Sequence, residues 1–263
     1  MKSIEELNAL MAELGIQPKR SLGQNFLVNP AVIEKIIDAV TYLQPKSLIE
    51  IGPGLGAITD DLRRLQVPLH LIELDTVFSN YWREQGIELT EQDALHYDWS
   101  SVPIETVLVS NLPYQISASL VIDRSMDETL LNGMVLMFQK EVAQRIAAKV
   151  GDSDYGFLSV IAQSAWKVER VVDAHPKSFL PPPKIASRVL QFKPIERNFD
   201  PKGLLKFVKT AFTQPRKRLI KNLQGMFPKD HQLLTEVIPE IHGENIRPGQ
   251  LSSTQFIELL NRV

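Results

Sequence analysis

Apolar and polar residues follow two different periods along the chain, and the change of period marks where elements begin and end. Ser3 and Glu6 have capping-box spacing, and Ile4, Leu7, Met11 and Leu14 fall on one helical face before Gly15, which predicts a short amphipathic helix. Residues 18–27, PKRSLGQNFL, carry two adjacent cations and no period, and are expected to be a loop. Asn29-Pro30 supplies a cap and a first-turn proline for a second helix, whose stripe is Val32, Ile33, Ile36, Ile37 and Val40, ending at Gln44-Pro45. Short apolar runs follow at Ser47 to Ile51, Leu69 to Leu74, Ile87 to Gln92, Thr106 to Ser110 and Met134 to Phe138, most of them separated by helix-length segments. That spacing predicts a parallel sheet with helices on both faces. Trp166 to Val172 and Arg188 to Lys193 are expected to form an edge hairpin around HPKSFLPPPKIAS, whose prolines rule out a helix. Past Pro194 only helical patterns remain, at residues 201–212, 215–226, 231–237 and 252–262. The expected architecture is an α/β domain over residues 1–193 and a small all-helical domain over residues 194–263.

Composition narrows the chemistry. The 263 residues include no cysteine, which removes disulfides, thiolate nucleophiles and Fe–S clusters. The amino-terminal stretch has no uninterrupted apolar segment and no later run approaches a membrane span, so the expected location is the cytoplasm. The five histidines have no ligand spacing, and no metal is expected. A net charge of −2 hides an asymmetry, because the residues from Pro194 onward carry 11 cations against 7 anions. Between Lys202 and Lys229 there are eight basic residues and no acidic one, the footprint of phosphate contacts or of a solvated helical face.

The stretch SLIEIGPGLGA, Ser47 to Ala57, reads as a strand, a tight turn and a helix opening at Ala57, the arrangement that holds an adenosine cofactor in a doubly wound sheet. Glu73, about twenty residues on, is placed to accept hydrogen bonds from ribose hydroxyls. Glu50 is expected at the mouth of the loop, where a pyrophosphate would be repelled by about 4 kcal/mol at 4 Å and an effective dielectric near 20. A P-loop is excluded because no Gly-Lys-Ser/Thr follows. S-adenosylmethionine, with its sulfonium and ammonium, suits a carboxylate there. The bland alternative has Glu50 facing solvent or capping a backbone N–H. Asp93, after the third strand, adds another carboxylate to the same crevice or serves as a turn cap.

After the fourth strand comes Asn111-Leu112-Pro113-Tyr114. A proline-stiffened turn at a strand end holds the Asn111 amide oxygen and the Leu112 carbonyl as fixed acceptors beside the Tyr114 ring. Two acceptors and an aromatic face suit a planar base with an amino group. Accepting both amine hydrogens of an adenine would localise the nitrogen lone pair for attack on a methyl, with the base flipped from its stack. Phe179, in the stiff loop, either stacks on the other face of that base or anchors the loop to the core.

As a set, SLGQNFL, IEIGPGLGAIT, LIELD, QDAL, SNLPYQIS, FQKEVAQR, YGFLSV, SFLPPPKIASRV and PRKRLIKNL resemble the ribosomal RNA adenine dimethyltransferases, of the bacterial small-subunit type, over nearly the whole chain. The resemblance implies a Rossmann-like class I methyltransferase fold with a helical C-terminal domain. It also implies transfer of two methyls from S-adenosylmethionine to each of two adjacent adenines near the 3′ end of small-subunit (16S) rRNA, within a 30S assembly particle, by a monomer. Carried over by position, it implies cofactor contacts at Asn25, Leu27, Gly52, Glu73, Asp93 and Asn111, and makes residues 24–27 part of the cofactor site. It assigns Asn111, Leu112 and Tyr114 to the target amine and base, Phe179 to the second stacking face, and Arg216, Lys217, Arg218 and Lys221 to the RNA. The chain departs from the family's usual residues at Ser110, Phe157 and Pro215. Rival readings are the related large-subunit rRNA adenine methyltransferase that confers antibiotic resistance, a non-catalytic RNA-binding assembly factor, and an NAD-dependent dehydrogenase.

Overall fold

The apolar runs become strands in the computed structural model, which describes residues 3–16, 25–128 and 131–262. In chain order they are β1 (Phe26–Leu27), β2 (Ser47–Ile51), β3 (Leu69–Glu73), β4 (Glu88–Glu91), β5 (Thr106–Asn111), β6 (Gly133–Gln139), β7 (Trp166–Ala174), β8 (Phe179–Leu180) and β9 (Ser187–Pro194). Seven of them make one sheet of order β4-β3-β2-β5-β6-β9-β7, and β1 pairs with β8 in a ladder of its own. The strands from β4 to β6 in that order run parallel. β9 runs antiparallel to β6, with Ser187 opposite Gln139 and Phe192 opposite Met134. The expected parallel sheet is therefore mixed. β7 and β9 are neighbours as expected, but β9 lies inside the sheet, leaving only β7 at that edge.

Burial explains why these strands read as apolar runs. Leu48, Val107, Val109, Val135 and Met137 pack with Val32, Ile33, Ile36 and Val40 of the helix Pro30–Tyr42, so one face of the sheet is covered. The alternate residues Ile49, Leu108 and Leu136 are equally buried, so the other face is covered too. That helix starts where the sequence places it, with the Asn29 side chain accepting from the N–H groups of Ala31 and Val32. The capping box at Ser3 and Glu6 also forms, and the helix Ile4–Glu13 ends before Gly15 at φ +63°.

The helix expected to open at Ala57 does not. Residues 54–58 are turn, and a single helical turn, Thr59–Leu62, follows without a side-chain cap and runs into the 3₁₀ turn Arg63–Leu65.

The chain divides into two compact units, the first formed by Met1–Leu120, Thr129–Ala143 and Glu169–Pro194, the second by Val121–Glu128, Gln144–Val168 and Ile195–Val263. The second unit thus extends beyond the expected segment 194–263. Its core joins Tyr155, Val160 and Ile161 to Leu204, Phe207, Leu219, Leu223 and Phe256, and the Tyr155 hydroxyl donates to the Leu251 carbonyl at 2.8 Å. Helices Pro201–Ala211 and Ser253–Leu260 form as expected, the latter with a Ser252/Gln255 capping box. The helix expected over residues 215–226 contracts to Leu219–Leu223, because the Asn222 amide turns back to the carbonyls of Ala211 and Gln214 and holds the preceding residues in a bend. Residues 233–237 are π-helical and lead into Ile238–His242, where Pro239 lacks the N–H that would continue an α-helical ladder. No helix among the described residues is long and apolar enough to cross a membrane.

Candidate active site

The C-terminal ends of β2, β3 and β5 open onto a cavity of about 360 Å³ that lies wholly within the first unit. This is where a parallel sheet of this kind presents its ligand site. Gly52, at φ +64°, begins the turn out of β2. Gly54, at φ +52°, comes so close to Phe26 that an added Cβ would lie 3.2 Å from its ring, so a side chain there would strain the backbone and crowd the ring. The turn is held from outside, because the Trp82 indole N–H donates to the Gly54 carbonyl at 2.9 Å.

Glu73, the last residue of β3, accepts hydrogen bonds from the backbone N–H groups of Leu74 (2.8 Å), Asp75 (2.9 Å) and, more weakly, Gly54 (3.4 Å). Burial pushes its carboxyl up and those three donors pull it back. Asp93 accepts from the Leu95 N–H at 2.9 Å, with His96 Nδ1 at 3.6 Å from its other oxygen. It is therefore both a turn cap and a wall of the cavity, and the two readings of the sequence hold together.

Glu50 departs from its expected place. Instead of standing at the mouth, it is 2% exposed, and its Oε2 has no hydrogen-bond partner among the described residues. Burial pushes its carboxyl up to about 8, with the charges of Asp60 and Glu73 adding to the rise and the nearby Thr59 hydroxyl offsetting part of it. It is shielded from solvent, and no backbone N–H among the described residues donates to it.

Asn111 closes β5, and its amide nitrogen donates to the Asn25 carbonyl at 3.2 Å, which leaves the amide oxygen as an acceptor. Leu112 and Pro113 follow on the cavity wall, and the Ile116 N–H donates to the Pro113 carbonyl to close the turn. The Tyr114 hydroxyl lies 3.2 Å from Ser187 Oγ, and the Ser117 hydroxyl donates to the Tyr114 backbone carbonyl at 3.0 Å, so the phenol and the backbone of Tyr114 are each tied to a serine. Ser110, a departure from the family's pattern, donates its hydroxyl to the Ile51 carbonyl at 2.6 Å and ties β5 to the last residue before the glycine turn.

A strap covers this arrangement. Phe26 and Leu27 pair with Leu180 and Phe179, the Val28 N–H donates to the Ser178 carbonyl, and the Asn29 amide donates to the Ser178 hydroxyl. Asn25 and Leu27 line the cavity as expected, while Gln24 and the rest of SLGQ lie outside the described residues. Thus all six expected cofactor residues, Asn25, Leu27, Gly52, Glu73, Asp93 and Asn111, share one cavity with Leu112 and Tyr114. Phe179 does not line it. It is 3% exposed and shares a buried cluster with Leu27, Ala174 and Val189, the packing that the anchoring reading expects. Phe26, within the expected stretch 24–27, lines the cavity too, as do Asp75 and Phe78, for which the sequence raised no expectation. Asp75 follows Glu73 by two residues in LIELD, and that pairing was the available signal.

In the second unit, Arg216, Lys217, Arg218 and Lys221 are exposed around the turn and first residues of Leu219–Leu223. Lys202, Lys206 and Lys209 are exposed on the helix Pro201–Ala211. Phe157 is partly buried against this unit's core, and Pro215 is exposed beside Arg216.

The sheet order and the cavity at its carboxyl ends define a class I methyltransferase fold. A crystal structure of a dimethyladenosine transferase from Plasmodium falciparum superposes with a TM-score of 0.75 over 90% of this chain and 96% of that one, at 28% identity. The 23S rRNA methyltransferase ErmE shares the fold at a TM-score of 0.65 and 21% identity, over 90% of this chain and all of that one. The description "Ribosomal RNA adenine dimethylase" matches residues 15–260. The ribosomal RNA small subunit methyltransferase A of Bdellovibrio bacteriovorus is 49% identical over 98% of this chain and 96% of its own length. The chain belongs to the ribosomal RNA adenine dimethylases, which use S-adenosylmethionine. The cavity fits that cofactor: Glu50, Glu73, Asp75 and Asp93 line it, and no Lys, Arg or His does among the described residues. Such a wall accepts a cation and resists a phosphate.

Proposed function

We propose that the chain dimethylates N6 of two adjacent adenines near the 3′ end of small-subunit rRNA, acting as a cytoplasmic monomer on a 30S assembly particle. The single observation that carries this reading is the convergence of Asn111, Leu112 and Tyr114 on the cavity that also holds the glycine turn, Glu73 and Asp93.

In this reading Asn25, Leu27, Gly52, Glu73, Asp93 and Asn111 hold the cofactor, which when bound supplies a methyl on a positively charged sulfur. The free amide oxygen of Asn111 and the Leu112 carbonyl accept the hydrogens of the adenine amine. Drawing both hydrogens out of the ring plane concentrates the lone pair on nitrogen, so no strong base is needed beforehand. Tyr114, fixed by Ser187 and Ser117, stacks on the flipped base. Phe179 serves by anchoring the strap that carries Asn25 and Leu27. Arg216, Lys217, Arg218 and Lys221 supply the RNA-phosphate contacts.

The test is transfer of labelled methyl from S-adenosylmethionine to small subunits lacking these modifications, with the product mapped by position. N6,N6-dimethyladenine at adjacent sites near the 3′ end is expected. Cofactor binding without that product, together with methylation of naked large-subunit rRNA, would replace this reading with the resistance-type enzyme.

A further inference from the structure

In the proposed function a flipped base enters a cavity walled by Glu50, Glu73, Asp75 and Asp93, a surface that repels the phosphates on either side of that base. Further along the same end of the sheet the charge changes sign. Ser187, which meets the Tyr114 hydroxyl, opens β9 and lies opposite Gln139, the last residue of β6. Lys140 follows Gln139, its N–H donating to the Ala186 carbonyl at 2.9 Å. Arg188, next after Ser187, donates twice to Asp173 near the end of β7, at 2.6 and 3.0 Å. Arg170 and Lys140 approach the same carboxylate, at 3.3 and 3.8 Å. Three cations thus share one carboxylate, which leaves two positive charges over. All four residues belong to the first unit. Neighbouring strands lie about 4.8 Å apart, so β9, two places from β5 in the sheet, runs about 10 Å from the strand that ends in Asn111.

We propose that Lys140, Arg170 and Arg188 form an RNA-phosphate site at the sheet edge beside Tyr114, which holds the backbone phosphate next to the flipped adenine. This rests on the small-subunit rRNA reading. Arg188 and Asp173 alone are enough to tie β9 to β7, since their pair is bidentate and the Arg188 side chain is only 15% exposed. Arg170 and Lys140 are far more exposed, at 59% and 43%, and ion pairs of that kind add little to stability. Their cost is mutual repulsion, which one carboxylate cannot cancel for three cations. A phosphate arriving among them supplies the missing negative charge, with a planar fork of donors from each arginine and a point charge from the lysine. The aromatic ring of Tyr114 close by, a face for a base, favours a nucleic acid over an acidic peptide as the source of that charge. Holding the phosphate fixes the backbone of the extruded nucleotide and offsets part of the cost of unstacking its base.

The experiment compares the full-length chain with the double variant Lys140→Gln/Arg170→Gln, which leaves the Arg188–Asp173 pair in place, on small subunits lacking the modifications and with S-adenosylmethionine present. Loss of two phosphate contacts should flatten the slope of log subunit affinity against log salt by about 1.4. The affinity lost at about 50 mM salt should then exceed that lost at about 200 mM by roughly sevenfold. Single-turnover methylation at saturating subunits should slow about tenfold, the cost of losing a charge-assisted contact to the nucleotide being modified. Cofactor affinity should stay within about twofold, as for surface substitutions away from its cavity. An unchanged salt slope overturns the inference, and a lowered unfolding midpoint with that slope would reduce the cluster to a pin between strands. A flatter slope with an unchanged saturated rate overturns it too, because the cations then meet RNA away from the target adenine. If the double variant does not fold, Arg170→Gln decides alone, with a flattening of about 0.7 expected. Failure of the parent chain to bind and methylate small subunits overturns the functional reading, and this inference with it.

Discussion

In the cavity at the ends of β2, β3 and β5, Glu73, Asp75, Asp93, Asn111 and Tyr114 are each held by a named hydrogen bond within the first unit. In the second unit, Arg216, Lys217, Arg218 and Lys221 are exposed and make no ion pair with a described residue. The first region recognises by fixed direction: its donors and acceptors are set before a ligand arrives, and displacing one by an ångström spoils the fit. In the proposed function the second recognises by density of charge, on long flexible side chains that adapt to a backbone of phosphates. Substitutions should therefore act differently in the two places, steeply and without regard to salt in the cavity, gradually and with strong salt dependence on the cationic face.

The largest effect is expected within the cavity, and it should split by residue. Asn111→Ala removes the amide oxygen offered to the amine and the tether to Asn25, and should lower methyl transfer by about 10²- to 10³-fold, the usual cost of losing one preorganised polar group at the reacting atom. Tyr114→Ala removes a stacking face worth about 1–3 kcal/mol, roughly 5- to 150-fold, and should leave cofactor affinity within about twofold. Single-turnover methylation and calorimetric cofactor titration separate the two. If Tyr114→Ala loses cofactor binding as steeply as methylation, the ring belongs to the cofactor site and not to the base.

A second expectation concerns stability and turns on Glu50. Its carboxyl has an ordinary value of 4.5 and is pushed up to about 8 in the folded chain, so between those values the folded state holds a proton that the unfolded state has released. The stability this confers is fully present below about pH 4.5, falls by about 1.4 kcal/mol per pH unit above it, and is gone once pH passes about 8. Chemical denaturation of the cofactor-free chain at pH 6 and 8 should show that loss, and Glu50→Gln should remove Glu50's share of it. An identical pH dependence in both chains would mean that Glu50 ionises normally in the fold.

The sheet was readable because strands covered on both faces leave apolar runs, and the glycine turn because the chain must turn at Gly52 and pass close to Phe26 at Gly54. That Glu73 and Asn111 at strand ends, and Asp93 just past one, would reach the same cavity was readable for the same reason. The strap was not, since β1 and β8 are two-residue strands some 150 positions apart, too short for any period to register. Nor was the depth of Glu50, because a strand's pattern tells which face a residue takes and not how much covers that face. The helix Phe157–Ala165 is apolar nearly all round, so no stripe revealed that it belongs with the helices after Pro194.

The smallest effect, and the sharpest test of the contrast between the regions, is expected at the cationic turn. Arg216, Lys217 and Arg218 precede a five-residue helix whose buried residues are Leu219, Asn222 and Leu223, so the three charges stand outside the packing and can be reversed without touching it. Reversal to Glu should change neither the unfolding transition nor cofactor affinity by more than about 0.5 kcal/mol, as for other surface substitutions away from packing. What should change is how binding to small subunits responds to salt. Each phosphate neutralised contributes roughly 0.7 to the slope of log affinity against log salt for single-stranded RNA, so losing three contacts should flatten the slope by about 2. At low salt the parent chain then binds more tightly than the variant, and at high salt the two converge. Parallel slopes with a constant offset would instead mean that these cations act through a local contact of fixed geometry, in which case the second unit recognises its target as the cavity does.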